Sequence, residues 1–154
     1  MSVISAPNFS PPTLNHWPLW IELAPTQRVS RGWTSTSWSV VELSAQPRSG
    51  EGIFQLDLVL YRGERLAYRF NLASQAPKLF VVCEALEPEL WQPRLITASQ
   101  DEVADYMDAG QPVLDLPMPR VIHQWIDAFI AHHGEPEMGR KRRGQGPAAQ
   151  CGES

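Results

Sequence analysis

Apolar and polar residues alternate most cleanly in "IFQLDLVLY", where Phe54, Leu56, Leu58 and Leu60 share one face and Gln55 and Asp57 the other. "RGER" (residues 62–65) then reads as a turn. "LAYRFNL" returns with Leu66, Tyr68, Phe70 and Leu72 aligned, so the pattern predicts a β-hairpin. Upstream, "WPLWIEL" places Trp17, Leu19, Ile21 and Leu23 on one side of a strand that Pro18 confines to an edge or a strand start. "GWTSTSWSVVEL" is rich in β-branched and aromatic residues and predicts a further strand. Its Trp33 and Trp38 are an odd number of residues apart, which sends them to opposite faces: one to the core, the other to cover the surface or meet a partner. A bulge among the serines would reunite them. "KLFVVCEA" is apolar on both faces, as in a central strand, "EPELWQP" is a proline-bounded loop, and "RLITA" is a short last strand.

The period changes at Ser99. "SQDE" forms a capping box, with the Ser99 hydroxyl capping a free backbone N–H and Glu102 reaching back. Val103 and Met107 share a helical face beside Tyr106, and Gly110 supplies the stop. "QPVLDLPMP" reads as an extended connector. Pro119 opens a second helix as its first-turn residue, and the helix ends at His133 before Gly134. Val121, Ile122, Trp125, Ile126, Phe129 and Ile130 form its apolar stripe. The expected architecture is α+β: a single domain over residues 17–134, with a mostly antiparallel sheet of about five or six strands followed by two C-terminal helices packed on it. Residues 1–16 read as a flexible proline-rich arm, and residues 135–154 as a disordered basic and polar tail.

Composition adds little. A net charge of −4 names no partner, but its distribution is uneven. Eight carboxylates lie between Glu84 and Asp115 against Arg94 alone, while Arg28 to Lys78 holds seven basic residues and four acids. Either a solvated surface or electrostatic docking to another protein accounts for this. The start lacks the charged region of an export signal, and no apolar run reaches the ~20 residues of a membrane helix, so a cytoplasmic location without membrane contact is expected. Cys83 and Cys151 suggest no disulfide framework.

The densest candidate chemistry is "HQWIDAFIAHHGEPE". On one helix His123 and His132 point about 180° apart and are separated by about 14 Å, too far to share a metal ion. His132 and His133 suit the negative end of the helix when protonated, and His123 can pair with Asp127. No Cys/His cluster with zinc spacing, no G-x-S-x-G and no glycine-rich phosphate loop occurs, so neither a cofactor nor a catalytic set is expected. "GRKRRG" admits a solvated tail, a protein-docking arm or a weak, salt-sensitive contact with phosphates, and no base-reading motif accompanies it.

The ordered landmarks "WTSTSWSVV", "YRFNLASQAPKLFVV", "TASQDEVADYMDAG", "DLPMPRVIHQWIDAFIAHH" and "GRKRR" resemble a bacterial domain family of unknown function encoded beside molybdenum- or tungsten-dependent formate dehydrogenase genes. The resemblance runs over residues 18–143. It departs where the family usually places an aromatic residue before its basic cluster, since Met138 and Gly139 stand there. It implies a non-catalytic accessory protein that assists assembly, cofactor loading or regulation of a formate dehydrogenase, with a dehydrogenase subunit or maturation factor as partner. The alternative is an enzyme or carrier in molybdenum-cofactor (pterin or nucleotide) metabolism. Some members carry a molybdopterin-guanine dinucleotide biosynthesis label. "APTQRVSRGW" lacks the glycine-rich basic loop of such nucleotidyltransferases. The expected contact surface combines Asn71, Ser74 and Pro77, the connector residues Met118 and Pro119, and the tail residues Arg140, Lys141, Arg142 and Arg143.

Overall fold

The computed structural model describes residues 12–87 and 90–136. A long hairpin of β1 (His16–Ser30) and β2 (Trp33–Ser44) is followed by β3 (Ile53–Val59), a short 3₁₀ turn (Arg62–Glu64) and α1 (Arg65–Ala73). Then come the hairpin β4 (Lys78–Glu87) and β5 (Leu90–Thr97), α2 (Gln100–Asp108), β6 (Val113–Pro117) and α3 (Arg120–His133). The strands form one sheet in the order β2-β1-β3-β5-β4-β6, and only the β3/β5 pair is parallel. The chain is therefore a single α+β domain with a mostly antiparallel sheet. The sheet coils until its outer strands β2 and β6 lie against one another without a ladder between them.

Alternation correctly identifies the core faces of the first strands. In the β1/β3 ladder Trp17 faces Leu58, Leu19 faces Leu56 and Ile21 faces Phe54. These side chains join Leu79, Val81 and Leu116 in one buried cluster, onto which α3 lays Ile122, Ile126, Phe129 and Ile130. Trp17 and Trp125 meet edge to face at 5.2 Å. Val121, at the rim of the predicted stripe, stays exposed. Pro119 stands one position before α3, where its carbonyl accepts from the backbone N–H of Ile122 and of His123.

Proline placement follows the missing N–H. Pro18 lies where β1 is paired with β3 alone, and Pro25 where it is paired with β2 alone. Pro93 sits in β5 at a register shift, so "EPELWQP" is not a loop throughout: the strand starts at Leu90. The β1/β2 bulge falls between Glu22 and Leu23 rather than among the serines.

Three further expectations are corrected. "LAYRFNL" is helix α1, not a returning strand. Both sides of β3 are already taken, by β1 and β5, so no edge is free for it. The segment also contains no β-branched residue, and as a helix it buries Ala67, Tyr68 and Leu72 while leaving Phe70 out. The connector after α2 contains strand β6, which pairs with β4 through Leu79↔Leu116 and Val81↔Leu114. Because β5 and β6 flank β4 and run parallel, the chain needs a crossover, which α2 supplies. His16, assigned to the arm, opens β1 and pairs with Asp57 at 3.1 Å, and the Thr13 carbonyl accepts from Trp125 Nε1 at 2.7 Å.

Candidate functional site

The C-terminus of α1 is tied to the start of β4, and the residue before β4 to the connector into α3, in a tightly bonded junction. Asn71 Nδ2 donates to the carbonyls of Lys78 (2.7 Å) and Ala98 (2.9 Å), while its Oδ1 accepts from Lys78 N–H at 3.0 Å. Ser74 Oγ donates to the Asn71 carbonyl at 2.7 Å, and the Pro77 carbonyl accepts from Met118 N–H at 2.9 Å. The fold thus brings Asn71, Ser74, Pro77, Met118 and Pro119 together. It uses both polar side chains to hold backbone in place. Arg140, Lys141, Arg142 and Arg143 lie outside the described residues.

Two open depressions flank this junction. One of about 430 Å³ is lined by Phe70, Asn71, Ser74, Lys78, Phe80 and Asp115 among others, with Lys78 and Asp115 paired at 3.7 Å. The other, about 550 Å³, is lined by Pro77, Met118, Arg120, His123, Gln124 and Asp127. Neither gathers free acid, base and nucleophile. A third depression of about 460 Å³, remote from both in its lining, is walled by Leu23, Pro25, Trp38, Phe54, Leu90 and Trp91.

Several ionisable groups elsewhere are committed to structure. Ser99 caps α2 by accepting from Glu102 N–H (3.1 Å) and donates to the Glu64 carboxylate (2.5 Å). The reciprocal half of the box is replaced: Glu102 accepts from the Thr97 hydroxyl, and Ser99 N–H donates to that same hydroxyl. Val103 is buried and Met107 exposed, so α2 docks by little more than its first turn. Tyr68 is buried with its hydroxyl accepting from Tyr61 N–H at 3.0 Å, and burial raises its pKa far above the ordinary value. Burial likewise pushes the Cys83 thiol up to about 11, which keeps it protonated and unreactive.

The rings of His132 and His133 meet edge to face at 4.8 Å, and the roles of the α3 histidines differ from the expected ones. Asp127 takes its hydrogen bond from Arg69 (2.9 Å), which also binds Glu135 at 2.7 Å. Desolvation opposes the Arg69 charge, and these two carboxylates outweigh it and raise its pKa. The helix end is capped by Arg65, which donates to the carbonyls of His133 and Gly134. The His133 pKa is lowered by desolvation and then by the charges of His132, Arg62 and Arg65. Among the described residues no three His, Cys, Asp or Glu side chains come together as metal ligands, and no helix is long and apolar enough to cross a membrane.

A second surface was only partly visible in the sequence. The β1/β2 hairpin extends past the last β1/β3 pair at Glu22 as a two-stranded ribbon. Its two-residue turn, Arg31 and Gly32, has φ of 56° and 82°, the positive values of a type I′ turn, which the glycine accepts without strain. Register places Thr26, Arg28 and Ser30 with Trp33, Ser35 and Ser37 on one face, and Val29 with Trp38 on the other. Trp38 packs against the core, whereas Trp33 is 78% exposed and Val29 75%. The odd Trp33/Trp38 spacing pointed to this division. What went unseen was that "APTQRVS" continues β1, because its Pro25 reads as a breaker.

A family model described as "Protein of unknown function (DUF3305)" matches residues 23–143. No curated protein and no solved structure matches the chain.

Proposed function

The chain belongs to the DUF3305 family, and from that premise we propose that it is a non-catalytic accessory protein that assists assembly, cofactor loading or regulation of a formate dehydrogenase. One observation carries the non-catalytic part. The polar side chains that could have formed a site (Asn71, Ser74, Ser99, Glu102, Asp127) are spent on caps, turns and ion pairs. Meanwhile large apolar side chains such as Trp33, Phe70, Met107 and Val121 face solvent. The dehydrogenase link is supported by the landmark order from "WTSTSWSVV" to "GRKRR". The contact surface proposed combines Pro77, Met118 and Pro119, with Asn71 and Ser74 bonded to the backbone nearby, and the basic residues Arg140 to Arg143.

The test is affinity purification of the tagged full chain from cells making the dehydrogenase, with and without crosslinking. Recovery of a dehydrogenase subunit or maturation factor is expected. Failure to recover either, even after crosslinking, refutes the reading. The depression walled by Trp38, Phe54 and Trp91 favours one alternative, a carrier of a flat heterocycle in pterin or nucleotide metabolism. A rise in melting temperature with pterins or nucleotides, absent after Trp91→Ala, would support that carrier instead.

A further inference from the structure

The β1/β2 ribbon is a projecting, preorganised element whose charge is all of one sign, and Arg28 and Arg31 share with Arg62, Arg65 and Arg120 the lack of an ion-pair partner among the described residues. Between Leu23 and Val41 there is no Asp or Glu, and the only charged residues are Arg28 and Arg31. Elsewhere the paired ions are matched locally: Arg48 with Glu22 and Glu42, Arg69 with Asp127 and Glu135, Arg94 with Glu84. Arg28 and Arg31 join no ion pair among the described residues. Between them in space stands Trp33, exposed on the face of Arg28, at the end of a type I′ turn that fixes its approach.

Building on the accessory-protein reading, we propose that this ribbon tip is the principal anchor for the protein partner. The partner then presents an apolar slot rimmed by carboxylates. Trp33 fills the slot, where a rigid aromatic contributes most per side chain ordered, and Arg28 and Arg31 meet the rim. A protein suits the ribbon better than a nucleic acid. Among the described residues, β2 alone pairs with β1 beyond Pro25, which leaves the outer edge of β1 there without a strand partner in that set and suited to an added strand. Two arginines alone provide little purchase on a phosphate backbone.

The experiment measures binding of the full chain to purified formate dehydrogenase holoenzyme by interferometry, at about 50 and about 300 mM salt. Trp33→Ala, the pair Arg28→Glu/Arg31→Glu, and Met118→Ala in the junction are compared, each checked by thermal melting. Trp33→Ala is expected to weaken binding about tenfold or more, and the charge reversal to weaken it similarly while abolishing its salt sensitivity. Met118→Ala, in the secondary contact at the junction, should weaken binding less than Trp33→Ala does. If the ribbon variants bind like the unaltered chain while Met118→Ala fails, the accessory reading stands and the ribbon proposal falls. If the unaltered chain does not bind the holoenzyme, the ribbon proposal falls, and the accessory reading falls with it when crosslinked purification also recovers no dehydrogenase subunit or maturation factor. Two controls complete the test: sedimentation of the chain alone, and binding of a labelled single-stranded oligothymidylate. Self-association or oligonucleotide binding that Trp33→Ala removes, without dehydrogenase binding, overturns the proposal in favour of a second copy or a nucleic acid.

Discussion

Replacing Asn71 separates a structural from a recognition role for the α1/β4 junction. Its amide makes three hydrogen bonds, two donated to the Lys78 and Ala98 carbonyls and one accepted from Lys78 N–H. Asn71→Ala leaves those three backbone groups to water or to nothing. At about 1 kcal/mol per bond, discounted for the half-exposed position, the loss is about 2–3 kcal/mol. With a urea slope of ~1–3 kcal/mol/M, the unfolding midpoint should fall by about 0.7–3 M while the slope is unchanged. Asn71→Asp makes the cause visible. Its carboxylate can still accept from Lys78 N–H but faces two carbonyl oxygens, so at neutral pH it should be no better than alanine. Below a carboxyl pKa of about 4 the acid can donate to one carbonyl, and the deficit of Asp relative to Ala should shrink. A midpoint within about 0.3 M of the parent for Asn71→Ala, or an Asp variant indifferent to pH, would refute the reasoning and return Asn71 to the list of free contact residues.

Other consequences follow from single positions. The Cys83 thiol rises from 9.0 to about 11 on burial, so below pH 9 both folded and unfolded chains keep it protonated. Above pH 9 the unfolded chain ionises first and stability falls as pH rises to about 11, by about 2–3 kcal/mol from this group. Cys83→Ala should remove that part of the alkaline loss in urea titrations across the window. Arg31 holds a positive φ that asparagine tolerates better, so Arg31→Asn should stabilise by about 0.5–1 kcal/mol and raise the melting temperature. Phe129→Ala should cost about 3–5 kcal/mol by calorimetry, whereas Val121→Ala in the same sequence stripe should stay within about 0.5 kcal/mol.

The sequence by itself determined which faces of β1 and β3 are apolar, the Ser99 cap of α2, and the extent of α3. Each depends on residues close together in the chain: a period of two, a hydroxyl three residues from an N–H, a stripe ending at Gly134. The histidines of α3 were also separable by helical geometry alone. Tertiary structure decided the rest. "LAYRFNL" satisfies both periods, and it becomes a helix because β1 and β5 have already occupied both edges of β3. "VLDLP" becomes a strand because β4 offers it an edge, and Pro25 is admitted to β1 because β3 has ended before it. The identity of the helix cap at His133, given by Arg65, rests on a contact between residues 68 positions apart. Local spacing sets which side chains share a face, but whether a backbone edge or a carbonyl is still free depends on what the distant chain has already paired.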